Sequence, residues 1–433
     1  MVIMKKIFFT IICFSIIGTS FGQKKEVKEI KYRRSSLEVI LFESDDYPKK
    51  DTVIAAYNKA PFPDKYNNHS IEVQPLNPKK YPVTEEEMVA AGIKKTQKDI
   101  ALGNLPEAGL IIDKYLKENK IANKMIAKWF NRAEDGSFDM NLIGERGMYD
   151  ASQIDISVAN NTVRGTAALA DAGEDLIKNT FLVVSKLKFV DNEVAASISR
   201  EIAIASASLI SNSLIRDATI KSANMAYEKA KEGYSVWTSA YLYQLEWNDS
   251  IASVFYNNMW VNKSNIDSQK VAAFDSTNLF KLKFIGKEKA SSLVTYSLKK
   301  GEGQRTDIEV IELATIRNID AVYAKLQKEY DVFKTKTPLY TGYPITAKIG
   351  LKEGINAGDK FEILEQLLDE ETGKITYKQK GVIKVDKKNI WDNRYSADEN
   401  KEAQLDENGK PVEFTTFKGG KKYYSGMLIR QLK

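Results

Sequence analysis

Asn179-Thr180-Phe181-Leu182-Val183-Val184-Ser185-Lys186-Leu187-Lys188-Phe189-Val190 is the strongest strand pattern in the chain, a dense apolar block bounded by polar residues. Its flanks decide the fold class. Upstream, Asp150-Ala151-Ser152 opens a helical pattern through Ala159, Val163, Ala167 and Ala170 to about Ile177, with Asp150 as its N-cap. Downstream, residues 193–232 are rich in Ala, Ser and Ile and hold neither Pro nor Gly. Val194, Ile198, Ile202, Ala205 and Leu209 recur there at helical spacing. Tyr234 to Trp247 is then an aromatic strand whose large residues alternate imperfectly, as expected when both faces are covered. Helix, strand, helix and strand in this order predict an α/β layer.

The same reading extends outward. Leu37 to Phe42 has the apolar density of a buried strand, and Pro48 to Asn58 of a short helix. Ala60 to Pro82 carries five prolines and reads as an extended, exposed crossing. Thr84 and Glu87 form a capping box, and helical patterns follow at Ile111–Leu116 and Ile121–Phe130. Ser137 to Ile143 alternates through Phe138, Met140 and Leu142 and predicts a strand. Asp249 is placed to cap a helix reaching Met259; Leu279–Ile285 reads as a strand and Ile316–Phe333 as a helix. From Thr337 the helical period vanishes. Short alternating runs with glycine turns predict a small β-barrel or sandwich. The expected class is therefore α+β: an α/β-layer domain over residues 23–336, with the helical segment 193–232, and a small β domain over 337–433.

Ile202 to Ile215 lacks charge, but the serine-diluted segment is too short in apolar residues for a transmembrane span. We read 193–232 as one or two amphipathic helices packed on the sheet, with a membrane surface or a partner as the alternative cover.

Residues 1–22 read as a secretory signal: Lys5-Lys6, an apolar run from Ile7 to Ile17, and small residues at Ser20 and Gly22. Cleavage after Gly22 would leave 411 residues starting at Gln23 and remove Cys13, the only cysteine. The expected location is the periplasm or the outer membrane. Net charge is +6 over the chain, and the dispersed pairs Lys24-Lys25, Lys49-Lys50, Lys79-Lys80 and Lys421-Lys422 do not make the clustered stripe of a nucleic-acid binder.

Chemistry is sparse. A single histidine, His69, leaves little room for a Ser-His-Asp triad or a histidine-based zinc site, and no cysteine nucleophile survives. His69 lies in a turn-rich loop from Pro61 and reads as a surface hydrogen-bonding residue. Gly301-Glu302-Gly303-Gln304 lacks the third glycine of a phosphate cradle, and Asp406-Glu407-Asn408-Gly409 reads as a hairpin turn rather than a calcium loop. Carboxylates remain: Asp45-Asp46 after the first strand, Glu145, Asp150 and Asp155, and Glu174-Asp175. Capping and solvation account for them, so no catalytic, cofactor-binding or metal-binding residue is assigned and no cofactor is expected.

Gly144-Glu145-Arg146-Gly147-Met148-Tyr149-Asp150-Ala151-Ser152, Gly173-Glu174-Asp175-Leu176-Ile177 and Phe181–Val184 resemble exported envelope proteins of Bacteroidetes that lack an assigned activity. More remotely, the order of strand, Arg-Gly-x-Tyr-x-Ala, helix and strand resembles the α/β domain of curli-secretion-type and TolB-like envelope proteins. Gly354 to Phe361 is similar to small β modules of flagellar-assembly accessory proteins. No acylated cysteine accompanies the curli-secretion likeness, so pore formation is not carried over. The resemblance implies a non-enzymatic envelope protein with an assembly or interaction role, whose partners are envelope proteins or further copies of itself. The alternatives are a carboxylate-based glycan hydrolase and a glycan- or ligand-binding module. Exposed Trp or Tyr would favour the binding module; burial of Trp237 and Trp247 would favour a core role.

Overall fold

The structure is a computed structural model and describes residues 35–97, 99, 105–150, 176–296, 303–368, 375–395, 405, 409 and 411–432. The signal segment and the helix expected from Ala151 to Asp175 lie outside these residues.

The α+β class holds: a five-stranded mixed sheet is followed by a closed six-stranded barrel. Strand β1 (Ser35–Phe42) leads through helix α1 (Lys50–Lys59) to the short β2 (Tyr66–Asn68). Then come α2 (Glu85–Ala90), α3 (Ala108–Glu118), α4 (Ile121–Trp129) and α5 (Asn141–Asp150). Strand β3 (Thr180–Asp191) is followed by α6 (Asn192–Ser208), α7 (Ser213–Ala230) and β4 (Tyr234–Leu245). After α8 (Asp249–Asn258) and α9 (Ser268–Ser276), β5 (Leu282–Val294) and α10 (Asp307–Glu329) complete the layer. The sheet order is β2-β1-β3-β4-β5, with β1 parallel to β2 and β3, and β4 antiparallel to β3 and β5.

Because side chains alternate along a strand, β3 sends Phe181, Val183 and Leu187 to one face and Leu182 and Val184 to the other. The first face packs under α10 and α1, where Val310, Ile311, Ala314, Val322 and Leu326 meet Val53, Leu41, Val236 and Leu242. The second face packs under α3, α4, α8 and α9 and holds an aromatic cluster. Phe255 is its hub, within 6.1 Å (centroid to centroid) of Phe130, Phe138, Trp247, Tyr256, Trp260, Phe274 and Phe280.

The barrel runs β10-β7-β6-β11-β8-β9, built from β6 (Thr337–Gly342), β7 (Ile345–Ala347), β8 (Lys360–Leu368), β9 (Ile375–Val385), β10 (Thr415–Lys418) and β11 (Leu428–Gln431). Leu339, Ile345, Phe361, Ile363, Ile383, Phe417 and Ile429 fill its interior. It meets the sheet domain along α10, where Lys352 lies 3.9 Å from Asp320.

Several local expectations change. Ser137–Ile143 is not a strand. The Asp139 carboxylate accepts the Asn141 N–H at 2.8 Å and opens α5, while the Phe138 ring is drawn into the aromatic cluster. Asp150 is the last described residue of a helix already begun at Asn141, and the helix expected to follow it lies outside the described residues. Asn248, not Asp249, caps α8 by accepting the Ile251 N–H. The helix expected at Ile316 begins at Asp307, because Thr306 and Glu309 form a second capping box.

The largest correction concerns residues 193–232. They form two helices, but these do not pack on the sheet: Ile198, Ile202 and Leu209 are 53%, 61% and 85% exposed.

Deleting a buried aromatic ring costs its transfer free energy plus that of the cavity left behind. Phe255→Ala should therefore lower unfolding stability by about 3–5 kcal/mol, measurable by denaturant titration; a loss below ~1 kcal/mol would contradict the hub role.

Candidate interaction surface

Helices α6 and α7 form an antiparallel hairpin inserted between β3 and β4. Asp191 caps the first helix through the Glu193 N–H, and Asn212 caps the second through those of Leu214 and Ile215. The two helices hold each other. The Arg200 guanidinium donates to Asn224 Oδ1 at 2.6 Å and lies 5.3 Å from the Tyr227 ring, and the Tyr227 hydroxyl donates to Glu193.

The root is fixed by one buried side chain. Asn192 Nδ2 donates to the carbonyls of Glu232 and Val294, and its Oδ1 accepts from Ser235 Oγ at 2.7 Å. Gly233 beside it has φ +111°, and a Cβ there would fall 2.1 Å from the Val294 carbonyl oxygen, so only glycine fits.

Beyond the root the hairpin is apolar and uncovered. Val194, Ile198 and Ile202 repeat every four residues and share one stripe. Leu209, Leu214 and Ile215 form an exposed apolar tip, and Met225 is exposed on α7, none of whose residues is buried. Burying each such side chain is worth about 1.5–3 kcal/mol. Among the described residues no helix is long and apolar enough to cross a membrane.

His69 is a second correction. It is fully buried, because β2 pairs with β1 and draws the end of the loop onto the sheet beneath α4. Arg146, also buried, donates to Ser36 Oγ, the Asn68 carbonyl and His69 Nδ1 at 2.9, 2.9 and 3.0 Å, and stacks on Trp129 at 4.6 Å. Since guanidinium only donates, Nδ1 must accept, so the Nε2–H donates to the Met125 carbonyl at 2.9 Å. Burial, reinforced by Arg146, pushes the imidazole down to about 3. It is a neutral connector holding β1, β2, α4 and α5 together, and Trp129 extends the network by donating to Thr180 Oγ1. The sequence signal for this centre was the paired presence of a lone histidine and the Arg146 motif, which nothing in their spacing joins.

The carboxylates singled out in the sequence are scattered. Asp45 is exposed and paired with Lys79 at 2.5 Å and Lys50 at 3.5 Å; Lys79 holds its carboxyl below the usual range. Asp46 lines a cleft of about 510 Å³ at the C-terminal end of β1, with Ser44, Tyr47 and Lys186. Glu145 is exposed on α5. Asp155, Glu174 and Asp175 lie outside the described residues. A larger cleft, about 710 Å³, separates α10 from the barrel. Within it, burial pushes Asp320 up to about 6, and Arg394 is tied to Asp392 at 2.6 Å.

Trp247 is buried in the aromatic cluster, whereas Trp237 is 49% exposed. The expectation that both faces of β4 are covered therefore fails at one end. Lysines that sequence reading passed over collect around Trp237: Lys186 and Lys188 on β3, Lys287 and Lys289 on β5. The Lys-x-Lys spacing within two strand patterns was their signal, since alternate residues share a face.

No protein-family model matches the chain, and no curated protein is similar to it at a significant level.

Two buried groups give opposite pH dependences. Glu38, pushed up to about 7 mainly by burial, keeps a proton when folded that it loses near 4.5 when unfolded. Its contribution to stability is therefore lost as pH rises from 4.5 through 7. Glu38→Gln should be more stable than the parent by about 3 kcal/mol at pH 7.5, the difference vanishing below pH ~4.5. His69 acts in the reverse direction, losing stability as pH falls from 6.5 toward 3. Chemical denaturation of parent and variant across this range checks both signs; a constant difference between them would contradict the assignment.

Proposed function

We propose that this protein is a non-enzymatic, exported envelope component with an assembly or interaction role, and that it engages its partner through the α6–α7 hairpin. One observation carries this reading: seven large apolar side chains, Val194, Ile198, Ile202, Leu209, Leu214, Ile215 and Met225, are more than half exposed on a hairpin that supplies little to either core. Helices of this length gain most of their stability from a covered apolar face, and here the sheet does not provide the cover. The remote likeness to envelope-assembly proteins supports the same reading. The signal-like start supports export, and partners are envelope proteins or further copies of this chain.

The Ile202→Glu/Leu214→Glu variant tests it. In the isolated protein the substitutions should shift unfolding stability by less than ~1 kcal/mol, the range for surface changes. They should also abolish co-isolation of envelope partners and self-association in sedimentation. A loss of several kcal/mol would return the hairpin to the core; an unchanged assembly profile would remove it from the interface.

A further inference from the structure

The strand register lays out the second face of the sheet as a grid. One row reads Ile40, Val184, Tyr241, Lys287; the next Phe42, Lys186, Ser239, Lys289; the next Lys188, Trp237, Ser291. Apolar residues under the helices give way to lysines within this short span, at the point where β1 ends. Lys186 and Lys289 flank Ser239 in one row, and strands lie about 4.8 Å apart, so their Cα atoms stand roughly 10 Å apart. Lys287 and Trp237 border the same patch.

Among the described residues, Lys186, Lys287 and Lys289 have no carboxylate within ion-pair distance; Lys287 donates instead to the Tyr241 hydroxyl at 2.8 Å. Partial burial and the charges of Lys188, Lys287 and Lys289 push the Lys186 ammonium down to about 8 against the opposing pull of the Glu107 carboxylate. Like charges held this close repel one another, and a polyanion laid across Lys186, Lys287 and Lys289 would remove the repulsion.

We propose that this face binds an acidic polysaccharide, with Lys186, Lys287 and Lys289 contacting its anionic groups and the Trp237 indole stacking on a sugar ring. The negative face of an indole attracts the C–H groups of a pyranose, and an open sheet suits an extended chain that is covered on one side. The features disfavour other polyanions. Single-stranded nucleic acid is held by successive stacking rings, and only one exposed indole is present in the patch. An acidic peptide would pair with the free edge of β5 rather than lie across its face. The site is independent of the hairpin's apolar tip, so it stands or falls apart from the docking role proposed above.

Binding of the full chain to polygalacturonate at low salt provides the test, with neutral dextran, phosphatidylglycerol vesicles and oligothymidylate as the other probes. The expected result is binding to polygalacturonate alone, weakened roughly tenfold in Lys186→Gln/Lys289→Gln, the loss of two charge-assisted contacts. Binding should also weaken in Trp237→Ala and as salt rises. The lysine variant should melt within a few degrees of the parent, since relief of the lysine–lysine repulsion offsets the lost approach of Lys186 to the Phe42 ring. Lys289→Gln alone, at an exposed position, gives a folded control with an intermediate effect. Absence of polygalacturonate binding, equal binding by the double variant, or binding confined to vesicles or oligothymidylate would overturn the proposal.

Discussion

The long antiparallel pairing of β3 with β4 is the interaction on which the rest of the sheet domain depends. Eleven residue pairs run from Phe181 opposite Gln244 to Asp191 opposite Tyr234. This ribbon sits at the centre of the sheet, and each face of it supplies a separate core. Val183 and Leu242 meet α10 on one side; Val184, Tyr241 and Tyr243 meet the aromatic cluster on the other. Strand β1 adds on one edge and β5 on the other, so neither core can close without the ribbon. Burial on both faces also fixes the register, since a one-residue slip would exchange the two sets of side chains.

Among the described residues, the Thr238, Thr315 and Tyr323 hydroxyls are buried in this interior without a hydrogen-bond partner. Two other polar side chains that enter it, Arg146 and Asn192, are satisfied in networks, as the low dielectric favours. Arg146 is the costlier of the two. Its guanidinium is spread over a hydroxyl, a carbonyl, an imidazole nitrogen and the Trp129 ring. At the far end of the ribbon Asn192 performs the corresponding task for the turn, tying β4, β5 and the entry of the hairpin through three hydrogen bonds. The two networks bracket the sheet. Between them the face changes from apolar to basic, because the helices above it extend only over one half.

Much of the framework was legible in the sequence, because its signals are local. The Phe181–Val184 block, the capping box at Thr84 and the glycine-punctuated tail from Thr337 each declare an element without reference to distant residues. What escaped was set by contacts between elements. Helical spacing at Ile198 and Ile202 announced an amphipathic face but could not say that the sheet lies elsewhere. His69 looked like a loop residue because only the pairing of β2 with β1 carries it inside. Phe138, Met140 and Leu142 alternate by coincidence, since three residues are too few to separate a strand from a cluster contact followed by a helix start. The basic patch needs the β3–β4–β5 register, which no residue spacing specifies.

The central claim is that the α6–α7 hairpin is mounted on a sheet already complete without it. Deleting residues 193–232 tests this most directly. It joins Asn192 to Gly233 between the paired Asp191 and Tyr234, leaving an Asn-Gly turn of the kind that closes two-residue hairpins. If the account is right, the shortened protein melts cooperatively within a few degrees of the parent, a shift of roughly 1 kcal/mol or less. Loss of the cooperative transition would show that the hairpin belongs to the core and would contradict it.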